Sequence, residues 1–282
     1  MPGPIVDAHH HLWDPAARPY PWMTGPATVL RRRFGPDDLA DAVAGTGVTA
    51  TVVVQAVSAL DETEELLAVG GLVAGVVGWV DLTAPDVADT LGRLIDGPGR
   101  LVGVRHQTHD EPDPDWLVRP DVLRGLAVLR DLGLPFDLLV RSREVPAAIE
   151  LAKQLPGLEL VVDHAAKPDI AAGEWTGWLD GLTTLAAFPQ VSCKLSGLVT
   201  EADPRQGVDR YARAVVDVFG PDATMFGSDW PVCTLAAGYG DVLDVALRAT
   251  DHLSDSDRSA VLAGTARRVY RLDTSPRRRP CT

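Results

Sequence analysis

The chain has 282 residues, of which 46% are hydrophobic and 23% charged, with a formal net charge of −13. Its length suits one large globular domain, and nothing in the composition is that of a disordered or fibrous chain. The acidic balance excludes the clustered basic surface that nucleic acid selects and disfavours binding to anionic membranes.

The first segment, MPGPIVDAHHH, has no basic region followed by an apolar run, so no signal peptide is expected. Residues 5–11 read as a first buried strand, and Val, Ile and Leu runs of the same kind recur at 49–55, 73–81 and 101–107. Four more follow at 136–140, 158–164, 191–196 and 224–229. Near-continuous apolar runs of this length are the mark of strands buried on both faces. Amphipathic stretches of helical period lie between them, at 86–95, 121–132, 144–155 and 208–219, and a last one at 254–272 is expected to close the ring. Eight strands alternating with helices predict a closed parallel (β/α)₈ TIM barrel spanning residues 1–282 as a single domain. An open doubly wound sheet is the rival, but a histidine cluster stands where its Gly-rich phosphate loop would follow the first strand. Residues 14–36 read as a Pro- and Arg-rich loop over the barrel mouth, and 274–282 as a frayed basic tail. The longest apolar stretch, residues 66–80, is too short and glycine-rich to span a bilayer. Cys193, Cys233 and Cys281 have no CxxC spacing, which fits a reducing compartment. A cytoplasmic protein is expected.

Barrel enzymes hold their chemistry at the C-terminal ends of the strands. The first strand ends in Asp7-Ala8-His9-His10-His11, and alternation puts Asp7, His9 and His11 on one face and His10 on the other. His164 ends the sixth strand and Asp229 the eighth. Strands one and eight are neighbours in a closed ring, so Asp229 should approach His9 and His11. Gln55, Arg105, His106 and Lys194, at or near strand ends, are candidate substrate-binding donors and acceptors. Trp13, Tyr20, Trp22 and Trp116 are candidate faces for a hydroxylated ring.

Five segments carry a resemblance. They are DAHHHLWDP with Tyr20-Pro21-Trp22, GVRHQTHDEPDPDWL, VVDHAAKP, CKLSGLVTEA and FGSDWPV, in that order along nearly the whole chain. Together they resemble the amidohydrolase superfamily, and within it the sugar-lactone hydrolases of the L-fuconolactonase and L-rhamnonolactonase group, related to pyrone-dicarboxylate lactonase. The resemblance implies hydrolysis of an aldonolactone, a small-molecule substrate. Asp229 would move the proton, and His9, His11 and His164 would polarise the carbonyl. Metal-dependent members add a strand-five histidine, whereas strand five here ends Leu139-Val140-Arg141. The reading therefore favours no obligatory cofactor. A single divalent cation, Zn²⁺ first, on His9, His11 and Asp229 is the alternative, for a metal-dependent hydrolase or decarboxylase. A catalytically inert barrel that only binds sugars is a third reading. The specific lactone, its ring size and the oligomeric state stay open.

Overall fold

The computed structural model describes residues 3–203 and 206–273. Eight parallel strands hydrogen-bond in sequence order: β1 Ile5–His10, β2 Val48–Val54, β3 Val73–Gly78, β4 Leu101–His106, β5 Phe136–Leu138, β6 Leu160–Val162, β7 Val191–Leu195 and β8 Thr224–Phe226. Beyond β8 the backbone closes onto β1. The amide of Asp229 donates to His9 O at 2.8 Å, and that of His11 to Trp230 O at 2.7 Å. Gly227 permits this approach, because a Cβ there would lie 2.7 Å from that of His9.

Helices α1 Pro36–Val43, α2 Leu60–Leu67, α3 Val87–Asp96, α4 Pro120–Leu132, α5 Val145–Gln154, α6 Thr176–Ala186, α7 Asp209–Phe219 and α8 Tyr239–Ala249 follow the strands in turn. Their apolar faces, such as Tyr211, Ala212, Val215 and Val216 of α7, pack with outward strand residues such as Val53, Val104, Phe136, Val162 and Phe226 in one continuous core. Inward residues form a second core of Val6, Ala8, Val52, Val54, Val77, Val102, Val161 and Met225. The stretch 254–272 is not an outer helix of the ring; α8 takes that place. It breaks into α9 Asp255–Ser259, a π turn Ala260–Gly264 and α10 Thr265–Val269. Its Ala263, Ala266, Val269 and Tyr270 join the inward core, where small side chains let a helix seat against the barrel floor.

The segment 14–36 is packed rather than loose. Trp13 and Phe34 pair across its base, and Tyr20, Met23 and Leu30 are buried. The indole N–H of Trp22 donates to Ala56 O at 2.8 Å, and Arg18 pairs with Asp61 and Glu65 of α2. The expected tail, with Cys281, lies outside the described residues; Cys193 and Cys233 are buried free thiols. Among the described residues no helix is long and apolar enough to cross a membrane.

Candidate active site

The polar ends of the strands converge above the inward apolar core. Asp7 does not join them. The pairing of β1 with β2 slips between Asp7 and His10, which breaks the simple alternation expected of the run. Asp7 is held instead by Ser228 Oγ at 2.6 Å and by the hydroxyl of Tyr239, at the start of α8, at 2.8 Å. His10 also leaves the cluster and bonds Thr51 Oγ1 at 2.9 Å. His9 and His11 remain together, Nε2 to Nε2 at 3.2 Å.

His164 and Asp229 reach them through unusual backbone. His164, Ala165, Ala166 and Lys167 all have positive φ, between 48° and 58°, and Asp229 has φ 56°. Each such residue costs roughly 1–2 kcal/mol for an L-amino acid. The left-handed turn after β6 is retained because it is tied down: the Trp178 indole donates to Ala165 O at 2.7 Å, and Lys167 N to His164 O at 2.8 Å. His164 Nδ1 bonds Ser196 Oγ at 2.9 Å, and its ring lies where a Cβ on Gly197 would come within 2.5 Å. Asp229 Oδ1 is then 3.4 Å from His11 Nε2, 3.8 Å from His9 Nε2 and 3.9 Å from His164 Nε2.

Beneath the histidines lies a buried charge network. Lys194 Nζ stands 2.5 Å from Asp137 Oδ2, 3.0 Å from Asp163 Oδ1 and 3.0 Å from His9 Nδ1. Arg105 donates to Asp163 Oδ2 at 2.9 Å and to Gln55 O, and Tyr270 OH reaches both oxygens of Asp137 at 2.9 Å. Burial, then the charge of Lys194, pushes His9 well below the ordinary imidazole value despite Asp163. Burial brings His164 to about 4 against the pull of Asp229 and Asp163. Burial alone would raise Asp229, but His164, His11 and Lys167 together hold it below the ordinary carboxylate value. An ionised carboxylate facing neutral imidazoles is the protonation pattern of a general base with hydrogen-bonding partners.

The cluster opens into a cleft at the mouth of the barrel. His11, His164, Asp229, Arg105 and Trp22 line it, whereas His9 is fully buried behind them. Other expected binders do not reach it. His106 stacks flat on Trp116, with centroids 4.0 Å apart, and is held by Trp79 Nε1 at 3.0 Å and Glu111 at 2.7 Å. Neither lines the cleft. Gln55 is fully buried beside Arg105, and its Nε2 donates to Arg105 O at 3.3 Å. Lys194 is fully buried below His9, so it belongs to the support of the cluster and not to the cleft wall. Trp13 backs His11 at 6.1 Å and is buried among Tyr20, Trp22 and Phe34. Sequence reasoning missed Gln107, His109, Asp110 and Lys167, which line the cleft, and Asp137 and Asp163 below it. Asp163 carried a signal, because a carboxylate two residues after inward Val161 must share its face.

The spacing of three donors is that of a divalent-cation site. His11 Nδ1 bonds Val54 O at 2.8 Å, which puts its proton there and leaves Nε2 as a lone pair, the second-shell arrangement of metal-bound imidazoles. The triangle His9 Nε2, His11 Nε2, Asp229 Oδ1 has edges of 3.2, 3.4 and 3.8 Å. Ligands about 2.0–2.1 Å from tetrahedral zinc stand roughly 3.3–3.4 Å apart. A second group, His9, Asp163 and His164, does not suit a metal, since Lys194 and Arg105 already neutralise Asp163.

Known proteins share this arrangement of chain. An L-fucono-1,5-lactonase of Burkholderia ambifaria is 40% identical over 278 residues, covering 95% of this chain and 96% of that protein. A crystal structure of an amidohydrolase from Burkholderia multivorans with bound zinc superposes with a TM-score of 0.89 at 40% identity, over 95% of this chain and 99% of that one. A 2,6-dihydroxybenzoate decarboxylase from Rhizobium superposes with a TM-score of 0.67 at 14% identity, over 97% of this chain and all of that one, a likeness of fold alone. The family model described as Amidohydrolase matches residues 6–272, and the chain belongs to that family.

Proposed function

We propose that this protein opens a sugar-acid lactone, an aldonolactone of the L-fucono- or L-rhamnono- type, by attack of water on the ring carbonyl. The observation that carries the reading is the carboxylate of Asp229 set 3.4–3.9 Å from three imidazole nitrogens at the edge of a cleft. Two relatives named L-fucono-1,5-lactonase, each 40% identical over 95% of this chain, support the substrate class.

Asp229 takes a proton from the attacking water as its oxygen bonds the carbonyl carbon. His164 donates a hydrogen bond to the carbonyl oxygen as it becomes an oxyanion, His11 orients the water, and His9, buried behind them, orients His11. The ring C–O bond then breaks, and Asp229 returns the proton to the departing ring oxygen. The product carboxylic acid ionises and releases one proton to solvent. An ester carbonyl is electrophilic enough for such help, which supplies about 10²–10⁴-fold. Lys167 and Arg105 place positive charge at the cleft where the product carboxylate forms.

The zinc-bound relative favours a second, metal-assisted version. His9, His11 and Asp229 would hold the ion, which would polarise the carbonyl or acidify a water.

A panel of aldonolactones in a pH-indicator assay tests the proposal, run before and after chelation. The expected result is rapid proton release on at least one lactone, surviving chelation, and a loss of about 10²–10⁴-fold in Asp229→Asn. A wild type that opens no lactone, or an Asp229→Asn protein that matches it, would overturn the activity. Stoichiometric metal together with activity lost on chelation would overturn the metal-independent form.

A further inference from the structure

A neutral imidazole carries one proton on one of two nitrogens, and the partner of each nitrogen decides which. His9 is bracketed by two cations, Lys194 at 3.0 Å from Nδ1 and Arg105 at 3.4 Å from Nε2. It cannot accept from both. With the proton on Nδ1, that N–H would face the Lys194 ammonium, with Asp163 Oδ1 as its acceptor at 3.3 Å. Nε2 would then turn a lone pair on the lone pair of His11 Nε2 at 3.2 Å, since the His11 proton is committed to Val54 O.

With the proton on Nε2 the contacts to Lys194 and His11 are matched, and only the longer 3.4 Å approach of Arg105 meets a proton. The Lys194 ammonium donates to two acceptors, Asp137 Oδ2 and His9 Nδ1, and stands 3.0 Å from Asp163 Oδ1 as an ion pair. His9 Nε2–H points at His11 Nε2, and His11 Nδ1–H at Val54 O. The chain Lys194, His9, His11, Val54 is directional from one end to the other.

We propose that Lys194 is a positioning residue that holds His9 as the Nε2–H tautomer, which turns the His9 proton onto His11 and makes the pair a poor zinc ligand. Zinc needs the Nε2 lone pair, so binding requires the proton to move to Nδ1 and turn to Asp163, and Lys194 to give up one of its two acceptors. The histidines of the first strand therefore look like a metal motif while an internal ammonium biases them against the metal. The inference rests on His9 belonging to the site, not on a lactone being the substrate.

The test is ¹⁵N NMR of histidine-labelled protein without metal, with His9 assigned from His9→Gln, alongside zinc titration against a chelating dye. The variants are Lys194→Met and Lys194→Met/Asp137→Asn; the second keeps the net charge of the buried network unchanged. The wild type is expected to show protonated Nε2 and unprotonated Nδ1 on His9. Each variant that folds should move the proton to Nδ1 and bind zinc more tightly, by about 10–100-fold, the usual reach of a second-shell partner. A wild-type His9 protonated on Nδ1 overturns the proposal whatever the variants do. So does zinc affinity that is unchanged, or that rises while His9 keeps its Nε2 proton, which would be a field effect of the lost cation. An empty lactone panel would remove the proposed activity and leave the NMR result standing.

Discussion

Gly197→Ala is the sharpest probe of His164, because the methyl group would be added where the imidazole already is. The new Cβ would meet His164 Nδ1 at 2.5 Å, Cγ at 2.6 Å and Cβ at 2.8 Å. Ordinary contact begins near 3.4 Å, so the ring must retreat by about 0.9 Å. That movement breaks the 2.9 Å bond to Ser196 Oγ. Gly197 also sits at φ 65°, which costs alanine roughly 1–2 kcal/mol, and the lost hydrogen bond adds about 1 kcal/mol. Folding stability in urea should fall by about 2–3 kcal/mol. A displacement near 1 Å in a reacting group can cost about 10²-fold, so kcat/KM on the best lactone of the panel should drop by that order. Ser196→Ala removes the bond without moving the ring by contact and should cost less. A Gly197→Ala enzyme that is destabilised as stated yet keeps its full kcat/KM would refute a role for His164 in the reaction.

Two further outcomes follow from buried carboxyls away from the cluster. Burial raises Glu62 to about 7, against the backbone donors of Val57 and Ala56 at 3.0 and 2.9 Å. A raised carboxyl contributes stability that is fully present below pH 4.5 and lost as the pH passes through about 7. Urea denaturation from pH 4 to 8 should therefore show Glu62→Gln gaining on the wild type by about 3 kcal/mol, and parallel profiles would contradict the assignment. Tyr239→Phe removes a 2.8 Å donor to buried Asp7 and should cost roughly 1.5–3 kcal/mol if that carboxyl is ionised. Because Asp7 is held at α8 and not among the imidazoles, kcat should be unchanged; a large fall in kcat with stability intact would return Asp7 to the catalytic group.

Much of the site was legible in the chain because barrel closure is a strong constraint. Once 5–11 and 224–229 are read as the first and last strands, Asp229 must come near His9 and His11, and His164 follows from the end of the sixth. What failed has several causes. Period-2 alternation grouped Asp7 with His9, but the register slip in β1 separates them. A strand position also says nothing of depth. Lys194 was read as a substrate donor at the mouth, whereas its ammonium is held below His9 by two carboxylates. His106 was read the same way and instead stacks on Trp116, since an imidazole at a strand end can turn out of the barrel as easily as in. The 254–272 stretch has helical period, yet period cannot distinguish a helix on the barrel wall from one seated under its floor.

The sequence by itself determined the order of strands and helices, the family pattern and the three histidines and one aspartate at the strand ends, since these depend on local periodicity and on ring closure. Only the tertiary structure decided which nitrogen of each histidine turns to its neighbours in the cluster. That choice is made by Val54 O on β2, Lys194 on β7 and Ser196 after it, residues 43, 185 and 32 positions away from the rings they touch. Hydrogen-bond direction depends on distance and angle in space, and no spacing along the chain encodes it.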